Sequence, residues 1–127
     1  MDNSKTKILI VEDDEFLRDF YFELLQSEGY AVDTAADGAI AFEKIHNGGW
    51  NLVMLDIMLP KMDGVQILTK LKQVPPAQAN GPIVVLTNLG NDTVINQCFA
   101  MGASGYLIKS SMDPNQVLVQ VKTFLQK

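Results

Sequence analysis

Four short apolar runs of this sequence end on side chains that can do chemistry. The groups at their ends are carboxylates, a hydroxyl and an amine: Glu12 with Asp13, Asp56, Thr87, and Lys109. Three carboxylates brought together would repel, by roughly 4 kcal/mol for two unit charges about 4 Å apart at an effective dielectric constant of about 20. Either their pKa values rise or a cation lies among them, and carboxylate oxygens suit Mg²⁺ or Mn²⁺ much better than zinc.

A carboxylate beside Mg²⁺, a lysine and a hydroxyl is equipped for phosphoryl transfer. Asp56 could attack an incoming phosphorus in line, while the metal and Lys109 screen the equatorial oxygens and Thr87 donates a hydrogen bond to one of them. The product would be an acyl phosphate, whose chemical lability suits a timed signal. The only histidine, His46, is predicted late in a helix and away from this edge, so it is not placed to act as a base.

The elements around these groups decide whether they meet. A run that is apolar at successive positions, such as residues 52–55, is typical of a parallel strand covered on both faces. Pro60 and the Asp63-Gly64 pair then take the chain out of the sheet in a short loop. On the stretch 51–64 alone, Asp56 is more simply interpreted as a solvated loop aspartate.

We predict five strands that alternate with five helices. The strands are predicted at residues 7–11, 30–36, 52–55, 82–86 and 105–108. Apolar residues at helical spacing indicate the helices, with Asp37 and Asp113 as caps and Gly29, Gly48 and Gly102 at their ends. Ile40, Phe42 and Phe99 are among the residues assigned to apolar helix faces.

This alternation predicts an α/β fold with one doubly wound, flavodoxin-like parallel sheet in the order 2-1-3-4-5 and helices on both faces. All strands of such a sheet end at the same edge, and strands one and three are neighbours where the strand order reverses. The polar groups at the strand ends should therefore converge there. This convergence makes an ordinary loop aspartate the weaker interpretation of Asp56.

Composition limits the classes of function. The chain of 127 residues predicts one domain over residues 1–127, with a core from about residue 7 to 126. Lys and Arg total 10 against 15 Asp and Glu, and the net charge of −5 has the wrong sign for direct nucleic-acid binding. Cys98 is the only cysteine, and the first apolar run is too short for a signal or membrane segment. We therefore expect a cytoplasmic protein that is not bound to a membrane.

The motifs ILIVEDDEFLR, LVMLDIMLPKMDG, IVVLTN and GYLIK resemble, in order and spacing, those of response-regulator receiver domains of bacterial two-component signalling, from Lys7 to almost the last residue. The resemblance implies a fold like that of the chemotaxis regulators and a phosphoacceptor at Asp56. Mg²⁺, with Mn²⁺ as a substitute, would be bound by Asp13, Asp56 and the Met58 backbone carbonyl, and by Glu12 through a water. Lys109 would bind the phosphoryl group.

The resemblance also implies how the signal passes on. A sensor histidine kinase or histidine phosphotransfer protein would donate the phosphoryl group, with Thr87 and Tyr106 as the switch residues. The surface of the fourth helix, fifth strand and fifth helix would then control an output protein or effector domain, or form a phosphorylation-dependent homodimer. Such a domain is a regulatory phosphoacceptor, which assists its own phosphorylation and dephosphorylation, rather than an enzyme.

Several positions depart from the family pattern. Ser110 follows Lys109 where the family usually has a proline in a cis peptide, and a cis bond before a non-proline residue costs about 3 kcal/mol, so this loop is trans or strained. Asn88 replaces a commonly small residue after Thr87, which would alter access to the phosphoryl group. Met58 and Leu89 are apolar at positions that tune dephosphorylation, and they offer no hydrogen bond to a water.

Other interpretations remain open. The chain could be a small Mg²⁺-dependent phosphatase with an aspartyl-phosphate intermediate, a flavodoxin-like cofactor binder, or a receiver-like scaffold that is never phosphorylated. Residues with simpler structural interpretations are the helix-start acids Asp14 and Glu15, the turn residue Asp63, and the packing residues Cys98 and Trp50.

Overall fold

The computed structural model describes residues 3–88, 92–109 and 112–126, in which strands and helices alternate along the chain. The strands are β1 (Lys7–Val11), β2 (Ala31–Ala35), β3 (Leu52–Asp56), β4 (Ile83–Thr87) and β5 (Gly105–Ile108). The helices are α1 (Glu15–Ser27), α2 (Gly38–Asn47), α3 (Gly64–Gln73), α4 (Asp92–Ala100) and α5 (Pro114–Leu125). None of the helices within these ranges is long and apolar enough to cross a membrane.

The five strands form one parallel sheet in the order β2-β1-β3-β4-β5. Val11 at the end of β1 is opposite Leu55 in β3, and Asp56 is opposite Leu86 in β4. The predicted fold class and strand order are confirmed. Since all strands run the same way, the residues that follow them lie along one edge of the sheet.

Apolar side chains on both faces of the sheet explain its central position in the fold. All five residues of β3 are buried, and successive side chains point to opposite faces of the sheet. Leu9, Val53 and Val85 belong to one apolar cluster, together with Ile45 of α2 and Ile67 of α3. The other face packs against α1 and α5 through Ile8, Ile10, Met54, Tyr21 and Val121. Helices on both faces therefore hold the strand ends in fixed positions.

Aspartates start the helices for which a cap is described. The side chains of Asp14, Asp37, Asp63 and Asp113 each accept a hydrogen bond from a backbone N–H in the first turn of α1, α2, α3 and α5. Asp63 is therefore more than the turn residue that was predicted, since it forms a capping box with Gln66. The predicted caps Asp37 and Asp113 and the helix-start role of Asp14 are confirmed.

Two residues assigned to apolar helix faces are in fact exposed. Ile40 is 43% exposed because it lies off the buried face of α2, which consists of Gly38, Ala41 and Ile45. Phe99 is 42% exposed because it follows the buried Cys98 on α4 and turns away from the core. The core roles of Cys98 and Trp50 are confirmed, and the Trp50 indole N–H donates to the Lys44 carbonyl at 2.9 Å.

Candidate phosphoacceptor and metal site

Three carboxylates meet at the ends of β1 and β3. Glu12 and Asp13 directly follow β1, and Asp56 is the last residue of β3. One oxygen from each lies within 4.8 Å of the others. Glu12 and Asp56 are buried, at 0% and 3% exposure, whereas Asp13 is exposed. The predicted convergence of these side chains is confirmed, and the cluster opens to solvent on the Asp13 side.

Lys109 joins the two buried carboxylates. It directly follows β5, and its Nζ lies 2.9 Å from Oδ2 of Asp56 and 2.7 Å from Oε1 of Glu12. The bond to Asp56 has good hydrogen-bond geometry. Oε1 of Glu12 forms an ion pair with the same ammonium group. Lys109 thus supplies one positive charge to a site that carries three carboxylates.

The pKa values of Glu12 and Lys109 respond to this arrangement. Burial raises the pKa of Glu12, and Asp56 raises it further, while Lys109 partly opposes both. Burial alone would lower the pKa of Lys109, but its contacts with Glu12 and Asp56 outweigh that effect and the net pKa is raised. The ammonium form of Lys109 is therefore stabilised beside the carboxylates, whereas the charged form of Glu12 is disfavoured.

Arg18 of α1 binds the backbone of the acidic pair Glu12 and Asp13. Its Nη1 donates hydrogen bonds to the backbone carbonyls of Glu12 and Asp13, at 3.1 Å and 3.3 Å. The backbone N–H of Asp14 also donates to Oε2 of Glu12 at 3.3 Å. We did not identify Arg18 from the sequence. The available signal was its position one turn after the Asp14 cap, where a long side chain on α1 can return to the end of β1.

The loop after β3 contacts the Asp56 carboxylate through its backbone. The N–H of Met58 donates to Oδ1 of Asp56 at 3.1 Å. The Met58 side chain is 67% exposed, so its contribution to the site comes from the backbone. The Asp56 carboxylate is thus oriented on one side by Met58 and on the other by Lys109.

The two predicted switch residues differ in exposure. Thr87 ends β4 and is 2% exposed, and its hydroxyl donates to the Asn88 carbonyl at 3.0 Å. Tyr106 in β5 is 45% exposed, and its ring meets Phe99 of α4 edge-on with ring centres 6.3 Å apart. Thr87 lies at the same sheet edge as Asp56, and Tyr106 lies on the surface shared by α4 and β5. The predictions for Ser110 and Leu89 fall outside the described residues.

The side chains at this edge suit a hard divalent cation. Glu12, Asp13 and Asp56 offer only carboxylate oxygens, and one oxygen from each lies within 4.8 Å of the others. When all are ionised, the three carboxylates and Lys109 leave two negative charges, which Mg²⁺ would balance. Few protein ligands and an exposed Asp13 also match Mg²⁺, which keeps several waters. The residues therefore fit the cation that the sequence predicted.

Comparison with known proteins agrees with the fold. Residues 8–122 match the family model described as the response regulator receiver domain. The transcriptional regulatory protein SrrA of Staphylococcus aureus is 33% identical over 121 residues, which are 95% of this chain and 48% of SrrA. The chain thus spans about half the length of this curated relative.

Solved structures show the same relationship. A CheY-like receiver domain protein from Methanospirillum hungatei superposes with a TM-score of 0.83 at 31% identity, over 97% of this chain and 95% of that one. The receiver domain of the sensor histidine kinase PA1611 from Pseudomonas aeruginosa, described with magnesium coordinated in its active-site cleft, superposes with a TM-score of 0.81 at 25% identity, over 98% and 100% of the two chains. The chain belongs to the response regulator receiver domain family.

Proposed function

We propose that this receiver domain is a phosphoacceptor switch in which Asp56 accepts a phosphoryl group from a histidine kinase or a histidine phosphotransfer protein. The observation that carries the proposal is the juxtaposition of three carboxylates within 4.8 Å with an ammonium group 2.9 Å from Asp56. A buried ion pair alone would need one carboxylate. The additional acids at the end of β1 suit a site that binds a cation and a phosphoryl group together.

The transfer is a displacement at phosphorus. An oxygen of the Asp56 carboxylate forms the new O–P bond while the P–N bond of the donor phosphohistidine breaks, and the imidazole leaves with the electron pair and takes up a proton. Met58 N–H and Lys109 hold the carboxylate in one orientation before the attack. Lys109 then stabilises negative charge on the equatorial oxygens, and Thr87 exchanges its Asn88 contact for one of these oxygens.

Mg²⁺ is the cofactor that this site suits, with Mn²⁺ as a substitute. Asp13, Asp56 and the Met58 carbonyl would hold it directly, and Glu12 would act through a water. When bound, the cation supplies positive charge beside the reacting phosphoryl group. The PA1611 receiver domain, with magnesium in its cleft, supports this assignment.

The signal would leave the site through Thr87 and Tyr106. As Thr87 moves toward the phosphoryl group, Tyr106 turns inward from its exposed position beside Phe99, which changes the surface formed by α4, β5 and α5. That surface would bind an output protein, an effector domain or a second copy of the chain. SrrA, a transcriptional regulator about twice as long as the matched region, is a relative in which a receiver accompanies further sequence. We place this signalling step in the cytoplasm.

Incubation of the protein with Mg²⁺ and acetyl phosphate tests the proposal. We expect a phosphoryl adduct that hydroxylamine removes, as an acyl phosphate requires, and that is absent in Asp56→Asn. Asp19→Asn, a change at an exposed aspartate of α1, is the matched control and should be labelled like the wild type. Labelling that persists in Asp56→Asn would contradict the proposal. Steady release of phosphate from a phosphate ester would instead favour the phosphatase alternative.

A further inference from the structure

Gly38, the first residue of α2, directly contacts the loop that follows Asp56. Its backbone N–H donates to the Pro60 carbonyl at 3.1 Å. A Cβ atom at this position would lie 1.6 Å from the Met62 carbonyl oxygen and 2.5 Å from its carbonyl carbon. Any larger residue would therefore force the loop or the start of α2 to move by more than ~1 Å, a displacement that can cost about 10²-fold in a catalytic rate.

The same loop orients the Asp56 carboxylate at its other end. Met58 N–H donates to Oδ1 of Asp56 at 3.1 Å, only two residues before Pro60. Gly64 N–H donates to the Ile57 carbonyl at 2.8 Å and closes the loop onto α3. The backbone from Ile57 to Gly64 is thus fixed at Asp56, at α3 and at α2.

A strained residue lies where the loop touches α2. Lys61 has a φ of 70°, a conformation that residues other than glycine rarely adopt. It lies between Pro60 and Met62, the two residues that contact Gly38, and Met62 N–H donates back to the Pro60 carbonyl at 2.8 Å. Such a conformation persists only where its surroundings hold it. The contact with Gly38 helps to hold this turn in place.

We propose that Gly38 is a positioning residue for phosphorylation. Its lack of a side chain allows Pro60 to Met62 to pack against α2, and this contact sets the position of Met58 N–H and hence the orientation of the Asp56 carboxylate. The inference rests on the proposed function, because it assigns Gly38 a role in the same site. It predicts that Gly38 affects cation binding and phosphorylation beyond any effect on stability.

Gly81 provides a matched control at the opposite edge of the sheet, just before β4. Its N–H donates to the Trp50 carbonyl at 2.7 Å, and a Cβ atom there would lie 2.1 Å from the Asn51 carbonyl oxygen. Gly81 therefore has the same two features as Gly38, a backbone hydrogen bond and a blocked Cβ position, but it lies far from Asp56. Substitution at Gly81 isolates the structural cost of adding a methyl group.

The experiment compares Gly38→Ala with Gly81→Ala in the full chain. Urea unfolding measures stability, titration calorimetry measures Mg²⁺ affinity, and acetyl phosphate measures the labelling rate. We expect both variants to be destabilised, but only Gly38→Ala to bind Mg²⁺ more weakly, by 10- to 100-fold as for other residues that support metal ligands, and to label more slowly. Wild-type Mg²⁺ affinity in Gly38→Ala, or an equal loss in Gly81→Ala, would overturn the inference.

A measurement on the wild-type protein covers the case in which Gly38→Ala does not fold. Because coupling between two sites is reciprocal, Mg²⁺ should slow hydrogen exchange of the Gly38 N–H by about fivefold or more beyond any slowing of the Gly81 N–H. The same change in exchange rate at Gly38 and Gly81 on addition of Mg²⁺ would overturn the inference. A wild-type protein that neither binds Mg²⁺ nor becomes labelled would instead overturn the proposed function, and the role of Gly38 with it.

Discussion

Nζ of Lys109 lies 2.7 Å from Oε1 of Glu12, and this contact joins the ends of two strands that are not neighbours in the sheet. Glu12 follows β1 and Lys109 follows β5, with β3 and β4 between them. Both side chains are largely buried, at 0% and 12% exposure. The ion pair therefore spans β3 and β4 at this edge of the sheet. Asp56, at the end of β3, contacts the same Lys109 ammonium group.

Replacement of Lys109 by methionine should lower the free energy of unfolding by about 3 kcal/mol at neutral pH, because it leaves two buried carboxylates without their cation. Urea unfolding measures this loss. Lys122→Met is the matched control, since the 3.2 Å pair of Lys122 with Glu28 is exposed to solvent and should contribute less than about 1 kcal/mol. Similar small losses in both variants would contradict the buried ion pair.

The loss in Lys109→Met should also depend on pH. A carboxyl group whose pKa is raised by folding favours the folded state below its unfolded value of 4.5, and this contribution is lost as the pH rises through the folded pKa. Without Lys109 the pKa of Glu12 rises further. The difference between the variant and the wild type should therefore be largest at neutral pH and shrink toward pH 4.5. A difference that does not change with pH would exclude this explanation.

Much of the fold follows from local patterns in the sequence. Continuous apolar runs predicted β1 and β3, and the aspartate caps predicted where α2 and α5 begin, because strand burial and helix capping depend on a few adjacent residues. Ile40 and Phe99 were placed wrongly, since periodicity gives a helix an apolar side but does not show how far the neighbouring elements cover it. Which residues of the apolar side remain exposed depends on tertiary packing.

The site was predictable only in part. Parallel strand order brought Glu12, Asp56 and Lys109 together, because every strand ends at the same edge. The contacts of Arg18 and Gly38 were not predicted, because each residue meets the backbone of another element through hydrogen bonds or close approach. Such contacts have no residue pattern of their own in a single sequence.

Asp13→Asn should stabilise the cation-free protein by up to about 1 kcal/mol. The change removes one of three clustered negative charges, and Asp13 is the exposed member of the cluster. Mg²⁺ should reverse the order, since it stabilises the wild type by binding the folded state and binds the variant more weakly. Thermal unfolding with and without Mg²⁺ checks both parts. Asp19→Asn is the control and should respond to Mg²⁺ as the wild type does. A wild type whose stability Mg²⁺ leaves unchanged would contradict the cation site.

Arg18→Met should weaken Mg²⁺ binding by about tenfold, because Arg18 holds the carbonyls of both Glu12 and Asp13. Lys44→Met is a suitable control, since Lys44 also donates to a carbonyl just before the end of a strand, that of Thr34 at 2.7 Å, but it lies outside the site. Calorimetry should show a loss for Arg18→Met and none for Lys44→Met. Arg18→Lys, which keeps the charge, should recover part of the affinity. Unchanged Mg²⁺ affinity in Arg18→Met would show that the hydrogen bonds from Arg18 to these carbonyls do not support cation binding.

Thr87→Val should separate phosphorylation from the change at the surface. The variant keeps the shape of the buried side chain but loses its hydroxyl, at a stability cost of about 1 kcal/mol. We expect labelling of Asp56 to continue while the NMR signals of the Tyr106 ring no longer shift on phosphorylation. Thr87→Ser, which retains the hydroxyl, should restore the shift. A full Tyr106 shift in Thr87→Val would exclude Thr87 as the link.

The central claim is that Asp56 is the phosphoacceptor, and mapping the labelled residue tests it most directly. The protein is incubated with Mg²⁺ and acetyl phosphate and then treated with borohydride, which reduces an aspartyl phosphate to homoserine. Peptide mass spectrometry then locates the altered residue. We predict homoserine at position 56, dependent on both Mg²⁺ and the phosphodonor. Unmodified Asp56 in protein that carries a phosphoryl group elsewhere would contradict the account.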